Sequence, residues 1–444
     1  MTATIQQLNI IGAGLAGSEA AYQLVKRGIP VRLYEMRPAK LTPAHKSGGF
    51  AELVCSNSLR ADQLTNAVGL LKEEMRRLDS LIMQAADATA VPAGGALAVD
   101  RQLFSAYIEQ KLRSHPLLTV VNEEVVQIPE GLTIIAAGPL ASPALSDIIA
   151  GLCGQEHLFF HDAIAPIIDA ASIDTDIAFY ASRYGKGDGN DYLNCPMNRE
   201  QYREFYQQLI TAEVTPLHHF EQEKHFAGCM PIESMARYGE DTIRFGPMKP
   251  VGLELPSGGE AYAVVQLRRD NADGTVYNLV GFQTHLKFPE QRRVFSMIPA
   301  LRNAEFLRYG VMHRNTFLDS PRLLDRYYRL KAMPRIAFAG QMTGVEGYVE
   351  SCASGFLAGV ETARRLLGQP PIDFPRETAI GALGLYVSNE SVGQFQPMNI
   401  NFGIMPPLDH RVKGKRNKNA QLSQRSLAII EQLKQEVLSY EDHH

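Results

Sequence analysis

The chain contains no tryptophan, so stacking against a planar ligand falls to its tyrosines, phenylalanines or histidines. Its five cysteines, at 55, 153, 195, 229 and 352, are odd in number, widely spaced and never arranged as C-x-x-C. That argues against a disulfide framework or a zinc site and favours reduced thiols in the cytoplasm. Long apolar runs are missing too. Residues 131–146 are broken by Gly138, Pro139 and Pro143, and residues 391–408 by polar residues and prolines, so neither reads as a membrane span. The first residues lack a basic stretch followed by an apolar one, and no signal peptide is expected. Positive charge is not in excess: a net charge of −4 argues against a uniformly basic nucleic-acid binder, though not against a local basic face. What remains is the composition of a soluble globular protein, 45% hydrophobic and 21% charged, and 444 residues suggest two domains.

The strongest local pattern is Leu8–Gly17, L-N-I-I-G-A-G-L-A-G. An apolar strand stops at Gly12, and a helix begins near Leu15. Gly12, Gly14 and Gly17 stand in G-x-G-x-x-G register. The first permits the tight turn, the second lets backbone approach a pyrophosphate, and the third packs helix on strand. The intervening Ala13, Leu15 and Ala16 complete a turn whose N–H groups face phosphates. Val31–Tyr34 reads as the second strand. Glu35 closes it, 18 residues beyond Gly17, where an acid that binds a ribose hydroxyl belongs. This is read as a dinucleotide site.

Further on, Leu70–Met83 and Gln102–Ser114 read as helices, Leu117–Val126 as paired strands and Leu132–Gly138 as a strand ending in glycine. The texture changes near His161. To about Pro299 the chain is richer in aromatics, charge and turns, and Ala261–Leu267 with Val276–Phe282 make a hairpin around Asn271–Gly274. Nucleotide-fold character resumes at Arg335–Gln341, another apolar strand ending in glycine, before a helix near Ser351–Leu367. Leu422–Leu438 is a last amphipathic helix. The expected architecture is α/β: a Rossmann-like, glutathione-reductase-type FAD-binding domain (1–160 and 300–444) interrupted by an inserted α/β domain (161–299). The return to the first fold, with Glu35 after the glycines, favours FAD over NAD, with the flavin half near Gly340 and Gln341.

Cys55 lies in a segment read as beginning or capping a helix, where N–H groups would favour a thiolate; the plain alternative is a small buried residue. Cys229, in Gly228-Cys-Met-Pro231, sits in a turn that leaves sulfur accessible, with His225 four residues earlier. Cys153 and Cys195 read as structural, and Cys352 stays open because its helix should approach the flavin. A metal site from His218, His219, His225 and Cys229 lacks an established zinc spacing, so no metal is expected. Two basic strips stand out: Arg411, Lys413, Lys415, Arg416, Lys418 and Arg425 without an acid among them, and Lys287, Arg292, Arg293, Arg302, Arg308 and Arg314 diluted only by Glu290 and Glu305. They suit a phosphate backbone.

Together Ile10–Glu35, Ala51–Arg60 (A-E-L-V-C-S-N-S-L-R), Pro92–Arg101, Gly228–Met235 (G-C-M-P-I-E-S-M), Val280–Arg293, Arg308–Thr316 and Gly340–Gly355 resemble the TrmFO family across nearly the whole chain. The resemblance implies a folate- and FAD-dependent tRNA uracil-5-methyltransferase acting on the T-loop, in the T-arm. It implies 5,10-methylenetetrahydrofolate as carbon donor and NAD(P)H as reductant. It also implies that Cys229 attacks uracil C6, that Cys55 takes the C5 proton, and that His285 holds the folate pterin, with Tyr348 lining the same cleft. Cys352 and the basic 411–419 tail depart from the usual family pattern. The same chemistry on ribosomal RNA, a flavin oxidoreductase without RNA, and an RNA-binding flavoprotein without catalysis are the alternatives.

Overall fold

The computed structural model describes residues 7–42, 44–154, 158–185, 189–215, 230–269, 274–389, 395 and 397–439, leaving out the side chains of 158–164, 308 and 311–316. Cys229, His218, His219 and His225 lie outside the described residues.

Leu8, Ile10 and Ile11 are 0–4% exposed because their strand runs through the middle of a sheet covered on both faces. That sheet has five parallel strands in the order Ile336–Phe338, Thr133–Ile135, Leu8–Ile11, Val31–Tyr34 and Leu118–Val121. The chain therefore leaves this sheet and returns late to add its edge strand. Helix Leu15–Val25 packs directly on helix Tyr348–Leu366, backbone against backbone. A Cβ at Gly355 would stand 2.1 Å from the Ala16 carbonyl oxygen, and one at Gly359 2.9 Å from Ala20 Cα. This close approach sets the Gly340–Tyr348 turn against the glycine turn at residues 12–17.

The second lobe has its own core around a six-stranded sheet of antiparallel pairs, in the order Phe179–Ala181, Tyr192–Met197, Ala263–Arg269, Val276–Leu279, Ile167–Asp169 and Phe306–Arg308. The hairpin of Ala263–Arg269 with Val276–Leu279 is the one read from the alternation. The sheet reaches Arg308, beyond the Pro299 edge drawn from composition. Leu158–Ile164 and Val311–Phe317 pair antiparallel where the chain passes between the lobes. Among the described residues no helix is long and apolar enough to cross a membrane.

Local expectations failed where distant contacts decide. Cys55 neither begins nor caps a helix: residues 52–57 are irregular and lead into strand Ser58–Ala61. The Leu70–Met83 helix is two helices, Ala67–Arg77 and Leu81–Ala88, parted where Asp79 takes a left-handed φ of 61° and receives bonds from Lys26 and Gln84. In 117–126 only Leu118–Val121 is strand, parallel to Val31–Tyr34. The final helix begins at Lys415, taking in much of the basic tail.

Candidate active site

The glycine turn divides its labour as geometry requires. Gly12 has φ +101°, and a Cβ there would meet the Ala136 carbonyl oxygen at 2.5 Å. A Cβ at Gly17 would lie 1.8 Å from the Gly12 carbonyl oxygen, so this glycine is the helix–strand contact. A Cβ at Gly14 would meet nothing within 4 Å, and Gly14 N-caps a helix that no side chain caps. That opening, at a positive helix end, is the place for an anionic group.

It belongs to a channel of about 160 Å³ walled by the glycine turn, by Glu35 and, where the Gly340 turn packs against Ala16, by Gly340, Gln341 and Tyr348. Ala13 faces the core, and its N–H donates to Glu35 Oε2 (2.9 Å). Glu35 brings a finding the sequence did not offer. Besides Ala13 it accepts from the Arg37 backbone N–H (3.0 Å), Nε (2.9 Å) and Nη2 (3.0 Å). Burial opposes its charge, but these Arg37 and backbone bonds prevail and hold the carboxyl below its ordinary range. A ribose hydroxyl would reach Glu35 only by sharing it with Arg37. The open cradle at Gly14, the uncapped helix and the carboxylate fit a dinucleotide.

Gln341 and Tyr348 also wall a second cavity, of about 330 Å³, between the lobes. Cys55, Ser56 and Arg60 line it from the first lobe, and Arg268, Asn278 and Gln283 from the second. Cys55 is half-buried and its thiol is free of any disulfide. Its backbone N–H donates to Tyr348 Oη (2.7 Å), as does that of Ser56 (3.2 Å). Burial pushes the Tyr348 phenol well above its ordinary pKa despite these two donors, leaving a neutral hydroxyl with a proton to donate. Arg60 holds a left-handed φ of 64°, its carbonyl bound by the buried Lys72 ammonium, which also binds the carbonyls of Leu59 and Ala61. Such a backbone marks a place the surroundings over-determine.

His285 is half-buried on the segment whose Gly281 and Gln283 wall the cavity, but it is not itself one of the walls. Its backbone N–H donates to the buried Glu233 carboxylate (2.7 Å), which also accepts from Thr284 Oγ1 (2.8 Å). Cys352, left open by the sequence, lies away from both cavities. It is fully buried between the two central helices, bonded to Glu19 Oε2 (3.5 Å) and close to Ser80 Oγ (3.6 Å). Cys195 is buried and Cys153 half-buried. Of the basic strips, Arg411, Lys413, Lys415, Arg416 and Lys418 are exposed. In the other, Lys287 pairs with Glu213 (2.6 Å) and Arg293 with Glu290 (2.7 Å), so it is less positive than its sequence suggests. Arg37, Arg60, Arg268 and Asn278 were missed: the turn after Glu35 brings in Arg37, and tertiary contacts bring the other three to the site.

Fold and site together define a Rossmann-type dinucleotide-binding protein whose channel opens into a cleft shared with an inserted lobe. Residues 7–370 match the family model of glucose inhibited division protein A, GIDA. The chain is 59% identical to a protein of Heliobacterium modesticaldum over 97% of this chain and 98% of that one. It is also 59% identical to one of Listeria monocytogenes over 97% and 100%. Both are named methylenetetrahydrofolate–tRNA-(uracil-5-)-methyltransferase TrmFO, and this chain belongs to the TrmFO family. Two crystal structures of Aquifex aeolicus GidA share the fold at 17% and 16% identity, with TM-scores of 0.70 and 0.71, covering 98% of this chain and 74% and 76% of theirs.

Proposed function

We propose that this protein methylates C5 of the T-loop uridine of tRNA in the cytoplasm. Its carbon donor is 5,10-methylenetetrahydrofolate, FAD lies in the channel, and NAD(P)H is the electron source. Membership of the TrmFO family supports tRNA and folate as substrates. The observation that carries the reading is the junction at Gln341 and Tyr348, which both the nucleotide channel and the interlobe cavity share beside Cys55. FAD bound along the channel supplies the hydride that completes the methyl group.

The residues divide the remaining work. Uracil C5 is a poor nucleophile until a thiolate adds to C6, and Cys229 Sγ is assigned that bond. The Ile232 N–H donates to the Gln283 carbonyl on the cleft wall (2.8 Å). The resulting enolate attacks the methylene carbon, and the first of its two bonds to folate nitrogen breaks. Cys55 Sγ then takes the C5 proton as the second carbon–nitrogen bond breaks, leaving an exocyclic methylene on a pyrimidine still joined to Cys229 at C6. Reduction of that methylene to methyl expels the Cys229 thiolate and restores the C5–C6 double bond. His285 holds the pterin, with its backbone fixed by Glu233. Gly12–Gly17 cradle the pyrophosphate, and Glu35 with Arg37 faces the ribose. A uridine enters such a pocket only when turned out of its stack. Phosphates meet the Arg411–Lys418 strip, where Lys415, Arg416 and Lys418 crowd the positive end of a helix that has no acid in its first turn.

Incubation of purified protein with tRNA, methylenetetrahydrofolate, FAD and NADH, followed by nucleoside mass spectrometry, tests the reading. 5-Methyluridine at the T-loop position is expected, and none with S-adenosylmethionine as the only carbon donor. Absence of the product under the first condition overturns it.

A further inference from the structure

The segment that carries Cys55 is held from both lobes. On its own side, Tyr348 Oη takes the N–H groups of Cys55 and Ser56, and Arg101 donates to the carbonyls of Leu53 (2.6 Å) and Cys55 (3.5 Å). From the inserted lobe comes Arg268, only 7% exposed, on strand Ala263–Arg269. Its Nε donates to Asn57 Oδ1 (3.0 Å) and its Nη2 to Ser56 Oγ (2.5 Å). Asn278 faces Arg268 on the neighbouring strand. It accepts from Arg268 Nη2 (3.3 Å) and donates to the same Asn57 oxygen (3.1 Å). Asn57, with no exposure, answers by donating to the Arg269 carbonyl (2.7 Å) in the inserted lobe and the Val99 carbonyl (3.1 Å) in its own.

The two residues that follow the thiol are thus gripped by a planar, forked cation 211 and 212 residues away in sequence. A buried network of this kind rigidifies what it touches, and a guanidinium spreads its donors in a fixed plane that an ammonium lacks. An ordinary interface bond would add stability anywhere along the contact. This one closes on the residues adjoining Cys55, at the wall of the cavity.

We propose that Arg268 is a positioning residue for Cys55: its fork sets Ser56 and Asn57, and through them the thiol, so that Cys55 takes its working place only while the inserted lobe is docked. The inference rests on the role given to Cys55 above.

Arg268→Lys keeps the charge and loses the fork. In the FAD-loaded enzyme it is expected to lower kcat for methyl transfer about tenfold or more, because small misplacements at a reacting centre are costly. The KM for tRNA should stay within about twofold. Release of tritium from C5-labelled uridine in tRNA should fall in step with kcat. Asn57→Ala should cost a similar factor, and the double variant no more than the worse single, since both act through one segment. Wild-type turnover in Arg268→Lys overturns the proposal. So does a raised KM for tRNA at unchanged kcat, which would make Arg268 an RNA contact, and so does full additivity. If Arg268→Lys fails to fold or loses its flavin, Asn278→Ala, which removes one strand of the network, is read by the same three criteria. A further arm needs no turnover. The rate at which iodoacetamide alkylates Cys55, followed by peptide mass spectrometry across pH, should change at least about threefold in Arg268→Lys. An unchanged alkylation profile counts against positioning even if the enzyme proves to have another substrate, whereas failure of the wild type to make 5-methyluridine counts against the function and not against the network.

Discussion

The nucleotide channel and the interlobe cleft share two residues, Gln341 and Tyr348, yet they are built in opposite ways. Where the glycine turn meets the Gly340 turn, the channel is shaped by backbone and small side chains: Gly12, Gly14, Ala16 and Gly340 sit at the ends of strands of one parallel sheet and at the start of a helix packed on it. The cleft is shaped by polar side chains, among them Cys55, Arg60, Arg268, Asn278 and Gln283, drawn from two cores. Recognition of a dinucleotide needs a fixed concave backbone, and a single fold supplies it. Chemistry on a bulky RNA needs a pocket whose walls meet around the substrate, and two lobes supply that. The consequence is that Ser56 and Asn57, beside Cys55, are held by Arg268 from outside their own fold.

Five substitutions test this comparison at different places. The largest effect is expected for Cys229→Ala, which should lower methyl transfer at least about a thousandfold while the protein stays yellow, since the proposed function gives this thiol the attack on C6 and no part in holding FAD. Mass spectrometry of the T-loop nucleoside and the flavin absorbance read the two halves separately. Cys55→Ala should lower tritium release from C5 about a hundredfold, the scale of a lost general base, and one-carbon chemistry with it.

The channel is tested by a contrast between neighbouring glycines. Gly14→Ala meets no protein atom, so it should keep its Tm within a few degrees and lose FAD affinity about tenfold, read by flavin fluorescence titration. Gly17→Ala drives a methyl to 1.8 Å from a carbonyl oxygen and should fold poorly with or without FAD.

The smallest effect concerns the first lobe alone. Glu74 is fully buried, bonded to the N–H groups of Ala379 (2.7 Å) and Ile380 (2.9 Å) and to Ser426. Burial raises its carboxyl from an ordinary 4.5 to about 7, its bonds notwithstanding. A folded pKa above the unfolded one means stability present below about pH 4.5 that is lost as pH rises towards 7. Glu74→Gln cannot ionise. Relative to wild type it should therefore gain about 2–3 kcal/mol between pH 4.5 and 7, whatever its offset from a lost bond, as read by urea unfolding at several pH values.

The same division explains what could be read without coordinates. The glycine turn, the strands around it and the late return at Arg335–Gln341 are local patterns with local causes, so their positions were legible from spacing. The segment at Cys55 was not, because Tyr348, Arg101 and Arg268 hold it irregular from far along the chain. Glu35 was legible as a carboxylate at a strand end, whereas its capture by Arg37 depends on a turn with no distinct spacing. The two basic strips look alike in sequence, but Glu213, 74 residues earlier in the chain, pairs with Lys287.

The central claim is that the flavin end of the channel and Cys55 meet at the Gln341–Tyr348 junction. Its most direct test is the visible spectrum of the FAD-loaded protein before and after selective alkylation of Cys55, with Cys55→Ala as control. A shifted flavin band in the alkylated wild type, absent from treated Cys55→Ala, is the expected result. An identical spectrum after complete modification would place the flavin elsewhere and contradict the account.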